Sequence, residues 1–339
     1  MKTFCLFALT WLLSLPSQAE TILRVGTWLP PTNPQNSEVW ATWSQWVEEA
    51  TEGRVKVKLE YGLGHPKSLF SMVEDGVIDA AFSVNGYLPG RFRLDIMAEL
   101  PGLSNNAEAA SVALWRTHQK YFADQGEFDG LELLGLFVHG PGQIYSRKPI
   151  QSLADLHGMK MRIGGGVMGT IAERLECTAV QAPAPKVYEM MQQGVVDGVF
   201  LPLLEQKYLR LNEVTSHIVT IPGGFYASSF SFFANPEFME NLEPRDREAI
   251  RRVSGEKLSA LAGRTWANAD QTGYEAARAS GVQITELTET DPMTVEIRSL
   301  LADMEDQWVK QIADTGVDAK AALAYFKAQK TELLTATNP

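Results

Sequence analysis

Met72-Val-Glu-Asp-Gly-Val-Ile-Asp-Ala-Ala-Phe82 and Met190-Met-Gln-Gln-Gly-Val-Val-Asp-Gly-Val-Phe200 carry one pattern twice: a helix end, a glycine, two β-branched residues, an aspartate and an apolar strand. Gly76 and Gly194 stop their helices where glycine most cheaply adopts the left-handed conformation. Outward from the first copy, Ile22–Thr27 reads as a short buried strand, and Pro34 and Ser37 open a helix. Its apolar residues Val39, Trp40, Trp43, Trp46, Val47 and Ala50 fall on one 3.6-residue face. Gly53 ends it, and Val55, Val57, Leu59 and Tyr61 then alternate with Lys56, Lys58 and Glu60 at strand period. A helix over about Pro66–Asp75 and a strand over Val77–Val84 complete a β-α-β-α-β unit. Outward from the second copy the order repeats: strand Met159–Ile163, helix Val167–Glu176, strand Thr178–Gln181, helix Pro185–Gln193, strand Val195–Leu201.

Two such units predict an α/β fold of two facing lobes with parallel sheets, and such sheets bind ligands beyond the carboxyl ends of their strands. The cleft should be lined by residues just after Thr27, Val84, Ile163 and Phe200, which are Trp28, Asn85, Gly164 and Leu201. Asp79 and Asp197 begin their strands and read as structural caps. Arg245–Ser280 contains no proline and is interrupted only by Gly255, Gly263 and Gly273. It reads either as one long kinked helix of about 54 Å crossing both lobes, or as two helices split near Gly263. The expected division is 20–138 plus about 228–265 for one lobe, 139–227 plus about 282–337 for the other, and a spanning helix over about 245–280.

The 339 residues, 45% hydrophobic and 21% charged, are ordinary globular composition. A net charge of −11 argues against a nucleic-acid or polyphosphate partner. Met1–Ala19 combines Lys2, the apolar stretch Phe4–Leu15, and Ser17-Gln18-Ala19 with small residues at both positions a cut requires. This is the pattern of a secretory signal, cleaved after about Ala19, and the apolar run is too short to span a bilayer. The mature chain is expected to be periplasmic and monomeric, with Cys177 as its single, structural thiol.

Catalytic and metal-binding patterns are missing. His65, His118, His139, His157 and His217 lack metal-ligand spacing, and there is no nucleophile elbow. No enzyme, metal or cofactor is therefore expected. Gly164-Gly-Gly-Val-Met-Gly169 satisfies G-x-G-x-x-G, but the next strand ends at Gln181-Ala-Pro183 without the acid a dinucleotide ribose needs. The glycines instead let backbone N–H groups approach a small anion. Arg162 lies between Met161 and Ile163 on a strand with no solvated face. A guanidinium out of water needs an anion, and its planar fork fits a carboxylate. That anion is a ligand or, on the alternative reading, a neighbouring acidic side chain. Trp28, Tyr87, Phe225 and Tyr226 follow strand or glycine boundaries, where they either stack on a ring-bearing ligand or pack in the core.

Ser152-Leu-Ala-Asp-Leu-His-Gly-Met-Lys-Met-Arg162 followed by Val187-Tyr-Glu-Met-Met-Gln-Gln-Gly-Val-Val-Asp-Gly198 resembles the substrate-binding subunit of tripartite ATP-independent periplasmic (TRAP) transporters. Gly62-Leu-Gly64, Asp75–Asp79 and the helical stretch after Pro244 are similar too. The resemblance implies a two-lobe periplasmic-binding-protein architecture with a long helix spanning both lobes. It also implies closure on a small organic acid anion and delivery to small and large membrane subunits driven by an ion gradient. Arg162 matches the family's carboxylate-holding arginine. Sialic-acid-type members carry a second arginine where this chain has Gly142 and Gln143, an asparagine where it has Leu201, and a phenylalanine where it has Ala184. The expected ligand is accordingly a smaller or more apolar monocarboxylate, with an aromatic or 2-oxo part. Its expected site is Arg162, Trp28, Asn85, Tyr87, Gln143, Gly164, Leu201, Phe225 and Tyr226. A binding protein for an ATP-driven importer, a sensor partner and a dinucleotide-dependent oxidoreductase are the rival readings.

Overall fold

The structure, a computed structural model, describes residues 20–337, so the leader read over Met1–Ala19 lies outside the described residues. Strands β1 (Thr21–Thr27), β2 (Val55–Tyr61), β3 (Ala80–Val84), β4 (Glu132–Val138) and β10 (Ser229–Ala234) form one sheet, in the order β2-β1-β3-β10-β4. The other sheet runs β11-β9-β5-β8-β6-β7, from β5 (Gly142–Ser146), β6 (Lys160–Ile163), β7 (Thr178–Gln181), β8 (Gly198–Pro202), β9 (His217–Thr220) and β11 (Gln283–Glu286).

The expected β-α-β-α-β units are present as β1-β2-β3 and β6-β7-β8, with parallel pairing in each. The sheets as wholes are mixed, which corrects the expectation of parallel sheets. β10 runs antiparallel between β3 and β4, and β5 antiparallel between β8 and β9. The reason is connectivity. Helical crossovers return the chain in the same direction, whereas β5 and β10 each enter a sheet directly from the other half, through residues 139–141 and 221–228.

The duplicated segments fold alike in detail. Gly76 and Gly194 have φ of 67° and 71°, and the next residues close the helices, with Val77 N–H donating to Met72 at 2.8 Å and Val195 N–H to Met190 at 2.9 Å. Those valines therefore belong to the helix caps, and the strands begin three residues later than the apolar pattern indicates. Asp79 accepts from the Arg24 backbone N–H at 2.7 Å, and Asp197 accepts from that of Lys160 at 3.0 Å. Both aspartates tie strand starts together, as expected of structural residues.

The long helix is Gly255–Ala279, preceded by Pro244–Val253. The break lies at Ser254 and Gly255, where φ is +60°, and not at Gly263. Gly263 and Gly273 serve close packing instead. A Cβ would fall 2.5 Å from the Ala107 carbonyl oxygen at the first and 1.9 Å from that of Leu203 at the second. The helix runs for about 37 Å, placing Leu258, Ala262 and Trp266 in the first sheet's core and Ala277 in the second's. Beneath the first sheet, Trp40 packs on Phe82 and Phe232 with ring centroids 5.1 and 4.6 Å apart.

Candidate ligand-binding site

Arg162 sits on β6, flanked by β7 and β8, and is only 2% exposed. Its Nε donates to the Ala182 carbonyl at 2.8 Å, and the Tyr87 hydroxyl lies against the guanidinium. No acidic side chain among the described residues forms an ion pair with it. A charge removed from water without a counterion is costly, so the fork is poised for an anion from outside.

The cavity in front of Arg162 has an aromatic wall of Trp28, Tyr87, Phe230 and Trp266, with Leu29, Val84, Ala184 and Leu201 between the rings. Trp28 is held by donating to the Phe82 carbonyl at 3.2 Å, and Phe230 and Trp266 meet edge to face at 4.4 Å. Among the residues expected at the site, Arg162, Trp28, Tyr87, Gly164 and Leu201 are brought together here. Asn85, Gln143 and Phe225 are not. The Asn85 amide is used by Ser229 and Ser231 of β10 at 3.2 and 2.8 Å. Gln143 pairs with the Ile221 backbone, accepting its N–H at 2.7 Å, and Phe225 packs edge-on against Phe200 at 5.0 Å. Tyr226 stands behind the wall, with its ring 5.5 Å from His139 and its hydroxyl buried without a partner.

Sequence reading missed Glu205, His139, Phe230 and Trp266, all of which line the cavity. Burial holds the His139 imidazole down to about 4, so it is neutral. Its Nδ1 donates to the Gly140 carbonyl at 2.5 Å, and its Nε2 accepts from Ser228 N–H at 3.0 Å.

Across the mouth of the cavity the two halves touch. The Tyr87 hydroxyl accepts from Ala184 N–H at 2.9 Å. Glu99 accepts from the Ser229 backbone at 2.9 Å and hydroxyl at 2.8 Å on its own side, and from Val167 N–H at 3.2 Å on the other. The Gly164–Gly169 loop thus packs against the first half, and its Val167 amide is occupied by a protein carboxyl.

Burial raises Glu99 to about 7, Asp270 to about 7 and Glu205 to about 8. Each binds a proton in the folded chain at pH values where the unfolded chain has released it, so stability should fall as pH rises from about 5 to 8. The expected loss is about 1 kcal/mol per group for each pH unit in that window. His139 acts oppositely and only below about 6.5, where the unfolded chain takes up a proton the native imidazole refuses. The three carboxyls outweigh the one imidazole, so the melting temperature of the ligand-free protein should fall steadily as pH rises from about 5 to 8. A flat profile across that range would contradict these assignments.

Among the described residues no helix is long and apolar enough to cross a membrane, and no group of His, Cys, Asp and Glu could hold a metal. Cys177 is half-buried, its thiol pushed up to about 12 by burial.

The family model for bacterial extracellular solute-binding protein, family 7 (DctP), matches residues 25–311. A protein of Comamonas testosteroni named outer membrane transporter protein TsaT is 31% identical over 332 residues, 97% of each chain. A TRAP periplasmic solute-binding protein from Bordetella bronchiseptica, solved with bound (R)- and (S)-mandelate, superposes with a TM-score of 0.89 at 31% identity, covering 92% of this chain and 99% of that one. A TRAP solute-binding protein from Rhodoferax ferrireducens, solved with copurified benzoate, has a TM-score of 0.88 at 27% identity, covering 94% and 99%. The two mixed sheets, the helix joining their cores and a match spanning most of the sequence agree, and the chain belongs to family 7 of the bacterial extracellular solute-binding proteins, the TRAP transporter receptors.

Proposed function

We propose that the protein is an exported receptor that captures a small aromatic monocarboxylate between its two halves and hands it to the membrane subunits of a TRAP transporter. The observation that carries this reading is a buried guanidinium without an acidic partner, facing a cavity walled by Trp28, Tyr87, Phe230 and Trp266. The guanidinium fork takes the carboxylate in paired hydrogen bonds, and the rings take a flat apolar body. Mandelate and benzoate, bound by two similar proteins, have that shape. Closure excludes water and strengthens the ion pair by lowering the effective dielectric. The pattern of Met1–Ala19 supports export to the periplasm, with cleavage after about Ala19.

Benzoate and mandelate should raise the melting temperature and give saturable heats in titration calorimetry. Galactonate and succinate, which bring more polar groups than this wall can satisfy, should not. Tight binding confined to sugar acids would overturn the ligand class. Uptake in cells that collapses with an uncoupler while ATP is held constant separates a TRAP receptor from the binding protein of an ATP-driven importer.

A further inference from the structure

Glu205 opens the short helix Glu205–Tyr208 just beyond β8 and lines the same cavity as Arg162. It is 7% exposed, its Oε2 is buried with no hydrogen-bond partner, and no cation among the described residues forms an ion pair with it. The groups around it are Arg162 from β6, Asp270 from the long helix, and the phenols of Tyr87, Tyr145, Tyr208 and Tyr226. Of these only Arg162 favours the ionised carboxylate, while Asp270 and burial oppose it. A buried carboxyl without a partner is retained most cheaply in its acid form, which offers one O–H donor and leaves acceptor capacity.

We propose that Glu205 belongs to the binding machinery as a neutral carboxyl group that donates a hydrogen bond to an oxygen of the bound organic acid, and that at alkaline pH, where the ligand-free chain begins to lose that proton, capture of the acid restores it. This rests on the reading that Arg162 holds a ligand carboxylate. Once that anion neutralises the guanidinium, the one influence holding Glu205 toward its charged form is cancelled, and a proton moves from the buffer to Glu205. Capture of an anion thereby brings one negative charge and up to one proton into the closed cavity.

The test is titration calorimetry with benzoate and mandelate at pH 8, in phosphate and in Tris, whose ionisation enthalpies differ widely. The wild type should show an apparent enthalpy that depends on the buffer in the sense of proton uptake. Its Kd should rise above pH 8 by up to about tenfold per pH unit, the limit for one linked proton. Glu205→Gln keeps a donor but cannot take up a proton, so its enthalpy should not depend on the buffer and its Kd should not rise above pH 8. Buffer dependence that persists in Glu205→Gln would place the proton elsewhere, at Glu99 or Asp270, and overturn the proposal. Saturable binding by the wild type with no buffer dependence would also overturn it, while leaving the carboxylate reading of Arg162 intact. Absence of binding to any monocarboxylate would defeat that reading and this one with it.

Discussion

Arg162→Ala should weaken binding of the organic acid by about 2–5 kcal/mol, the range for truncating one partner of a buried, hydrogen-bonded charge pair. The same substitution should leave the ligand-free protein as stable or more so. The residue is 2% exposed, has no ion-pair partner among the described residues, and is held by neutral oxygens: the Tyr87 hydroxyl and, through a hydrogen bond at 2.8 Å, the Ala182 carbonyl. An uncompensated buried charge is a burden on the fold, and alanine removes it, at the expense of those contacts and some packing. The two effects have opposite signs, which distinguishes a ligand-binding arginine from a structural one. Calorimetry and melting scans on one preparation read both. Were the arginine structural, Arg162→Ala would melt several degrees lower and bind benzoate normally, and the account would fail. Arg162→Lys should fall between, because an ammonium keeps the charge but not the planar fork.

The features legible in the sequence were those fixed by short-range chemistry. Gly76 and Gly194 mark helix stops because only a left-handed residue closes those caps, and Asp79 and Asp197 follow them at one spacing. Arg162 was legible because a charged residue between Met161 and Ile163 contradicts a strand buried on both faces. Trp28, Gly164 and Leu201 followed from the rule that places ligands beyond strand carboxyl ends. The same rule misplaced Asn85, because its amide is claimed by two serines almost 150 positions away on β10, a pairing no local pattern announces. Gln143 was misplaced likewise by its partner Ile221. Trp266 was illegible for a different reason: on a long amphipathic helix, a tryptophan facing a cavity and one facing the core share the same periodicity. Glu205, beside Gln206 and Lys207, reads as a solvated carboxylate until Gly273 lets the long helix press onto Leu203 and Leu204 and bury it.

That dependence of the cavity on close backbone approach leads to the second large effect, at its mouth. Gly165 has φ of +107°, and a Cβ there would lie 2.2 Å from the Gly86 carbonyl oxygen and 3.0 Å from its carbonyl carbon. Both loops are backbone, following β6 and β3, so no side chain can swing away and Gly165→Ala has to separate the halves. Separation breaks the bond from Ala184 N–H to the Tyr87 hydroxyl and that from Val167 N–H to Glu99, now 2.9 and 3.2 Å. Overpacking of this kind costs about 2 kcal/mol, and because the cost falls on the closed form alone it should raise Kd roughly thirtyfold. Backbone strain alone would act differently, since a positive φ burdens open and closed forms equally. Gly64→Ala isolates that contribution: φ is +131° with nothing within 4 Å of the added Cβ, so it should lower the melting temperature and leave Kd as it was. Small-angle scattering supplies the second readout. Benzoate should compact the wild type and Gly64→Ala but not Gly165→Ala. If Gly165→Ala merely melts lower, binds as tightly as the wild type and still compacts, then contact between the Gly86 and Gly165 loops has no part in trapping the ligand.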